Sequence, residues 1–254
     1  MTTLPIINII KAAFATISSK DYILVRILIF PIFLTAILQV IILFFQDNIL
    51  VKIPLYFLLF FIYILMAVKT HRVVILKESS KIKYNLFSWF RREAKYAIKL
   101  ITINIAVYLL PSISLMTSYF FFTTSLSSDS KGLFTIFLPL ITTILTLISS
   151  YFFARLCLLL PATAIGKEPS FRWAWNVTKH NGVAILFTTV LIPTTLSILA
   201  SSIMPSNASF IGQFVSTIIE STLLIIGILI LSLTFEFVVQ EIRRLNNINQ
   251  ANNA

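Results

Sequence analysis

Long apolar stretches, separated by short basic loops, constrain this chain more than any other feature. About 20 helical residues cross the roughly 30 Å hydrocarbon core of a bilayer, and six stretches are long enough. They cover residues 22–45, 50–68, 96–123, 133–161, 183–203 and 210–239. Hydrophobic residues make up 58% of the chain and charged residues 11%, which leaves too little polar surface for a water-soluble fold. The sequence therefore predicts an all-α polytopic membrane protein with six transmembrane helices in three hairpins.

The distribution of Lys and Arg predicts the orientation. When the loops are assigned to alternate sides, 18 of the 20 basic residues share the side that holds both termini. Lys52 and Lys131 are on the other side. Basic residues favour the cytoplasmic side of a membrane, so we expect both termini in the cytoplasm. The net charge of +11 lies in loops between spans, which argues against a nucleic-acid-binding module.

A short amphipathic stretch precedes spans one, three and five. These stretches cover residues 1–21, 80–95 and 169–181, and a short tail, 240–254, completes a single membrane domain over 1–254. In each stretch an aromatic residue lies six positions before a lysine. The pairs are Phe14/Lys20, Trp89/Lys95 and Trp173/Lys179. Such helices prefer the interface plane, so we predict three interfacial elbows. The residues expected to contact lipid headgroups are Phe14, Lys20, Trp89, Arg91, Arg92, Lys95, Arg172, Trp173, Trp175 and Lys179.

One acidic residue lies deep within a predicted span. Glu220 is about ten residues into span six, beside Ser216 and Thr217. A charge at mid-bilayer costs at least ~2.5–3.5 kcal/mol, so this group is a candidate intramembrane site for a proton or cation. The alternative is a protonated or hydrogen-bonded carboxyl group within the bundle. Hydroxyl-rich strips in spans four and five favour either a polar path or a helix–helix seam. Intramembrane prolines Pro111, Pro139 and Pro193 are expected to kink their helices.

Two further residues are candidates for a structural ion pair. Arg155 and Glu236 lie toward the cytoplasmic ends of spans four and six, where they can pair if those helices are neighbours.

Candidate catalytic residues are absent from the sequence pattern. His71 and His180 fall at predicted cytoplasmic interfaces, with no acidic residue at helical spacing from either. No phosphate-binding loop, nucleophile motif or metal-ligand motif occurs. Cys157 has no partner for a disulfide. We therefore predict no catalytic residues, no metal site and no cofactor. A lipid-modifying enzyme is the third hypothesis, and it requires His71, Glu78, His180 and Glu236 to meet at the cytoplasmic interface.

Two segments, MAVKTHRVVILKESS and ARLCLLLPATAIGKEPSFRWAWNVTKHNG, resemble a bacterial family of six-span inner-membrane proteins of the YciC-like type. That family is related to the membrane domain found beside glycerophosphoryl diester phosphodiesterases. The matching positions are His71, Arg72, Arg155, Leu160, Pro161, Ala162, Phe171, Trp175, Thr178 and Lys179. The resemblance implies an integral protein of the bacterial cytoplasmic membrane. The phosphodiesterase activity belongs to a separate catalytic domain, for which we expect no room after span six.

The sequence favours two functions over the enzyme. The first is a non-enzymatic membrane protein that binds lipid or serves envelope homeostasis or assembly through a basic, aromatic cytoplasmic face. Its expected partners are membrane lipids, anionic ones among them, and another membrane protein or a second copy of the chain. The second is a small transporter or channel subunit that uses Glu220 and the hydroxyl-lined spans.

Overall fold

The fold, as given by a computed structural model, is mainly helical in the described residues 3–18, 23–45, 47–77, 86–124, 128–203 and 210–252. No strand occurs in these ranges. The helices are α1 Ile6–Ser18, α2 Ile23–Phe44, α3 Ile49–Leu76, α4 Leu86–Thr124, α5 Ser128–Leu156, α6 Leu159–Ala164, α7 Phe171–Val177, α8 Gly182–Leu186, α9 Ile192–Ile203 and α10 Phe210–Asn252. A π-helical segment, Phe187–Leu191, joins α8 to α9. The all-α class is confirmed.

Five stretches of the described chain are long and apolar enough to cross a membrane. They are Leu24–Phe44, Ile49–Leu76, Pro139–Ala164, Gly182–Ile203 and Phe210–Leu245. These correspond to predicted spans one, two, four, five and six. The predicted third span, 96–123, lies within α4. Helices of this length satisfy their backbone hydrogen bonds internally, as the interior of a bilayer requires.

The last helix, α10, is the centre of the packing. It contacts α1, α2, α3 and α9, whereas α4 packs against α5 and α6. Leu229, Ile230 and Phe235 on α10 are almost fully buried. Side-chain hydroxyls also link helices here, since Thr35 of α2 and Ser221 of α10 lie 3.2 Å apart. Small hydroxyl side chains at helix crossings are typical of membrane bundles, where close packing replaces the hydrophobic effect.

The second predicted elbow is not separate from its span. Helix α4 runs without interruption from Leu86 to Thr124, through the boundary predicted at residue 95. The sequence Arg91-Arg92-Glu93-Ala94-Lys95 explains the difference, because these are good helix formers and contain no glycine or proline. Residues 80–85 lie outside the described ranges.

The first and third elbows do contain separate helices. In the third, the Ser170 side chain caps α7 by accepting a hydrogen bond from the backbone N–H of Trp173, at 3.1 Å. Helix α7 ends at Val177, and a turn leads to α8 at Gly182. The first elbow is tied to this turn, because the backbone N–H of Leu4 donates to the Asn181 side-chain oxygen at 3.3 Å.

Proline effects differ between the spans. Pro111 and Pro139 lie inside continuous helices, α4 and α5. Pro193 instead follows the π-helical segment Phe187–Leu191. Proline has no N–H to donate to the carbonyl four residues earlier, that of Thr189. A π turn is one way to accommodate such a missing bond, and π turns are frequent at functional sites.

Candidate functional site

A basic cleft lies between the first part of α4 and the loop after α6. Its volume is about 480 Å³. It is lined by Arg91, Arg92, Lys95, Thr163, Gly166, Lys167 and Glu168. Arg91, Arg92 and Lys95 lie within about one turn of the helix. Three residues that sequence reasoning assigned to headgroup contact therefore line one concave surface.

A tight turn at the end of α6 supplies the other side of the basic cleft. Gly166 has φ +85°, a left-handed conformation that glycine adopts without strain. The backbone N–H of Gly166 donates to Thr163, and that of Lys167 donates to Ala162, both at 3.0 Å. This is a helix C-terminal motif, and it carries Lys167 and Glu168 toward α4.

The basic cleft keeps an excess of positive charge. Four cationic side chains and one carboxylate line it. Lys95 donates a hydrogen bond to Glu168, and this bond, with the charges of Lys95, Arg91 and Lys99, lowers the pKa of Glu168. Lys99 itself lies over the Phe171 ring, 4.8 Å from its centre. The cleft can therefore attract an anionic group such as phosphate, which clustered Arg and Lys side chains bind.

Arg155 has a different partner from the one predicted. It is almost fully buried, and its Nε donates to the Thr178 hydroxyl at 2.9 Å. Nη2 donates to the backbone carbonyl of Trp175, and the guanidinium lies 3.5 Å from the centre of the Trp175 ring. Glu236 accepts a hydrogen bond from Gln240 instead. The predicted Arg155–Glu236 pair is therefore wrong, because the third elbow packs against α5 and occupies the guanidinium.

The aromatic residues of the third elbow divide between packing and exposure. Trp175 is 37% exposed and stacks on Phe152, with ring centres 5.5 Å apart. Trp173 is half-buried against Phe235 of α10, at 6.4 Å between ring centres. This contact places Trp173 within the bundle packing, whereas the sequence predicted headgroup contact.

The other predicted headgroup residues have these positions. Phe14, Arg172 and Lys179 are exposed. Lys20 and the side chain of Trp89 lie outside the described part of the structure.

A buried histidine joins three helices. His71 of α3 is fully buried, with Nδ1 2.7 Å from the Ser232 hydroxyl and Nε2 3.3 Å from the Tyr96 hydroxyl. The Ser232 hydroxyl already donates to the Ile228 carbonyl, so Nδ1–H must be the donor to Ser232. Tyr96 then donates to Nε2. Sequence reasoning placed His71 at the interface and missed this cluster, since partners 25 and 161 residues away leave no local pattern.

A buried carboxyl group lies near the same end of α3. Glu93 of α4 is 7% exposed, and its Oε2 has no hydrogen-bond partner among the described residues. Burial raises the pKa of Glu93, while the charges of Arg72 and Lys69 act in the opposite direction. The sequence pattern gave no reason to single out Glu93, because both basic residues belong to another helix.

A larger cavity of about 710 Å³ lies among α3, α4, α5, the π-helical segment, α9 and α10. We call it the intramembrane cavity. Glu220 lines it, and so do hydroxyls of the span-five strip: Thr189, Thr194, Ser197 and Ser201. Ser216 and Thr217 are buried and bond the Gln213 carbonyl of their own helix. The candidate site Glu220/Ser216/Thr217 is therefore split, with the carboxylate alone facing the cavity.

The hydroxyl strip of span four does not form a continuous seam. Thr142 and Thr143 both donate to the Pro139 carbonyl, and Thr146 donates to that of Thr142. Thr143 and Thr146 are exposed.

The five long apolar stretches give this helical protein the features of an integral membrane protein. No protein-family model, curated protein or solved structure matches the chain. The resemblance to the YciC-like family therefore stays a prediction. Within the described residues, no group of three or more His, Cys, Asp or Glu side chains could hold a metal ion.

Proposed function

We propose that this protein is a non-enzymatic integral membrane protein that binds anionic phospholipid at its cytoplasmic face. The topology proposed is six spans, with α4 as the third and both termini in the cytoplasm of a bacterial inner membrane. The observation that carries the proposal is the basic cleft, in which Arg91, Arg92, Lys95 and Lys167 surround one concave space. Lipid homeostasis, envelope integrity or assembly are the roles that such binding serves.

The chemistry of the basic cleft suits a phosphate group. Arginine presents parallel N–H donors that match phosphate oxygens, and each surface Lys or Arg contributes ~1 kcal/mol toward an anionic leaflet. The Lys95–Glu168 hydrogen bond holds one ammonium group in place. By the positive-inside assignment, this surface faces the leaflet in which a phospholipid headgroup is within reach.

The test is lipid that co-purifies with the full chain, measured by mass spectrometry. We expect phosphatidylglycerol to be enriched at least about tenfold over phosphatidylcholine when the protein is loaded from an equal mixture, since several charges act together. The variant R91Q/R92Q/K95Q/K167Q should lose this preference.

The matched control is K11Q/K77Q/R243Q/R244Q, which removes four cations outside the cleft and should keep the preference. Purely zwitterionic lipid on the wild-type protein, or equal loss of preference in both variants, contradicts binding at the cleft.

A second function, a small transporter or channel subunit, is favoured by one observation. Glu220 faces the intramembrane cavity together with hydroxyls of span five. In this case Glu220→Gln abolishes solute flux through proteoliposomes while the protein still folds.

A further inference from the structure

The intramembrane cavity has one closed end and one open side. Tyr96, Cys157 and Leu160 are buried and close its inner end, whereas Glu220 and Ser197 are exposed at its open side. The lining of α10 extends from Glu220 to Leu231, which is about 16 Å along a helix that rises 1.5 Å per residue. A volume of about 710 Å³ falls within the range of pockets that hold drug-sized molecules.

The charge of the cavity lining has one sign. Among the described residues that line the cavity, Glu220 is the single carboxylate, and no Lys, Arg or His occurs. Within the described structure, no hydrogen bond or ion pair engages the Glu220 carboxylate, and Tyr63 is the group in electrostatic reach. Glu220 lies within Phe210–Leu245, a stretch that is apolar enough to cross a membrane. In a span, the binding of a cation offsets the cost of an unpaired carboxylate.

Aromatic rings supply the rest of the recognition surface. Phe60, Tyr63, Tyr96 and Phe153 line the cavity. The face of an aromatic ring attracts a cation, most strongly where water is excluded. A lining that combines one carboxylate with several rings matches a molecule that is both apolar and positively charged.

We propose that the intramembrane cavity binds a lipophilic organic cation carrying a single positive charge. An inorganic cation needs several oxygen ligands around it, whereas aliphatic and aromatic side chains make up most of the cavity lining. An anionic lipid is repelled by Glu220. An acyl chain alone gives the carboxylate no partner.

This inference shares its site, the intramembrane cavity, with the second function proposed above, and it rests on that function in this respect alone. It adds the chemical class of the ligand. Binding and flux are separate measurements. If the protein binds the cation but does not carry it across the membrane, the binding site is supported and the transporter function is contradicted.

The experiment uses the full chain purified in detergent and two ions of the same size. Tetraphenylphosphonium carries a positive charge and tetraphenylborate a negative one, and binding of each is measured separately by equilibrium dialysis. We expect saturable binding of one phosphonium per chain and no saturable binding of the borate. Glu220→Gln should weaken phosphonium binding at least about tenfold, because it removes the one opposite charge.

Two further variants separate charge from folding. Glu236→Gln changes a glutamate of the same helix that does not line the cavity, and it should leave the affinity unchanged. Ser197→Phe keeps Glu220 but fills the open side, and it should also weaken binding. If Glu220→Gln fails to fold, Ser197→Phe and the comparison of the two ions still decide. Equal binding of both ions, or unchanged affinity in Glu220→Gln, overturns the proposal.

Discussion

Arg155 and Glu220 are both charged side chains within predicted spans, but their surroundings are opposite. The guanidinium of Arg155 is buried, donates to Thr178 and to the Trp175 carbonyl, and stacks on the Trp175 ring. The carboxylate of Glu220 is exposed on the cavity side of α10 with no hydrogen bond to the described residues. Arg155 therefore has its partners within the fold, whereas the Glu220 carboxylate can still bind a ligand.

This difference separates structure from ligand binding. Removing a buried charged side chain leaves the groups that were hydrogen-bonded to it without that partner, which is costly. A charge without partners can be removed at little cost to the fold, and its loss is felt only by what it binds. Substitutions at the two residues should therefore give opposite patterns of stability and binding.

The largest effect is expected from Arg155→Ala. It removes the donors to Thr178 and Trp175 and the stacking on Trp175. Hydrogen bonds to charged groups contribute about 1.5–3 kcal/mol each, so we expect a loss of about 3 kcal/mol in the free energy of unfolding. For a chain of this size, that lowers the Tm of the purified protein by roughly 6–12 °C.

Arg172→Ala is the matched control, because Arg172 lies on the same elbow and is exposed. Its Tm should change by no more than about 1–2 °C, as surface substitutions usually do. Arg155→Lys should remain destabilised, because lysine lacks the planar fork that serves Thr178 and Trp175 together. Full stability in Arg155→Ala shows that the elbow is held by other contacts.

An intermediate effect is expected at the histidine cluster. Ser232→Ala leaves the Nδ1–H of His71 buried without an acceptor, at a cost of about 1–3 kcal/mol. Thr222→Ala is the control, since Thr222 also bonds its own helix, at the Ile218 carbonyl, but is exposed. In a double-mutant cycle with His71→Phe, we expect the losses in Tm to be less than additive. Additive losses indicate that Ser232 and His71 do not interact.

The helical class follows directly from the sequence, because it depends on local composition. An apolar stretch of 20 residues must form a helix in a bilayer wherever it occurs. The cap at Ser170 is equally local, since the Ser170 hydroxyl and the Trp173 N–H that donates to it are three residues apart. Such features require no knowledge of which helices are neighbours.

Side-chain partners were predicted poorly, because they depend on helix neighbours. Arg155 was assigned to Glu236, yet its partners are Trp175 of α7 and Thr178 just after it, because α7 packs against α5. The elbow before α4 was predicted from the aromatic–lysine spacing that all three stretches share. The third stretch also has a turn at Asn181-Gly182 between two helices, and α4 has no such turn between Leu86 and Thr124. A spacing between an aromatic residue and a lysine does not by itself interrupt a helix.

The smallest effect on stability is expected from Glu220→Gln. Because the carboxylate has no hydrogen-bonded partner in the described structure, the change to an amide removes a charge within an apolar stretch and no contact. The Tm of the purified protein should stay within about 2 °C of wild type or rise, in contrast to the fall at Arg155→Ala. Gln keeps the size of the side chain, so packing along α10 is unchanged. A fall comparable to that of Arg155→Ala means that the carboxylate supports the bundle, and it removes the distinction between the two charges.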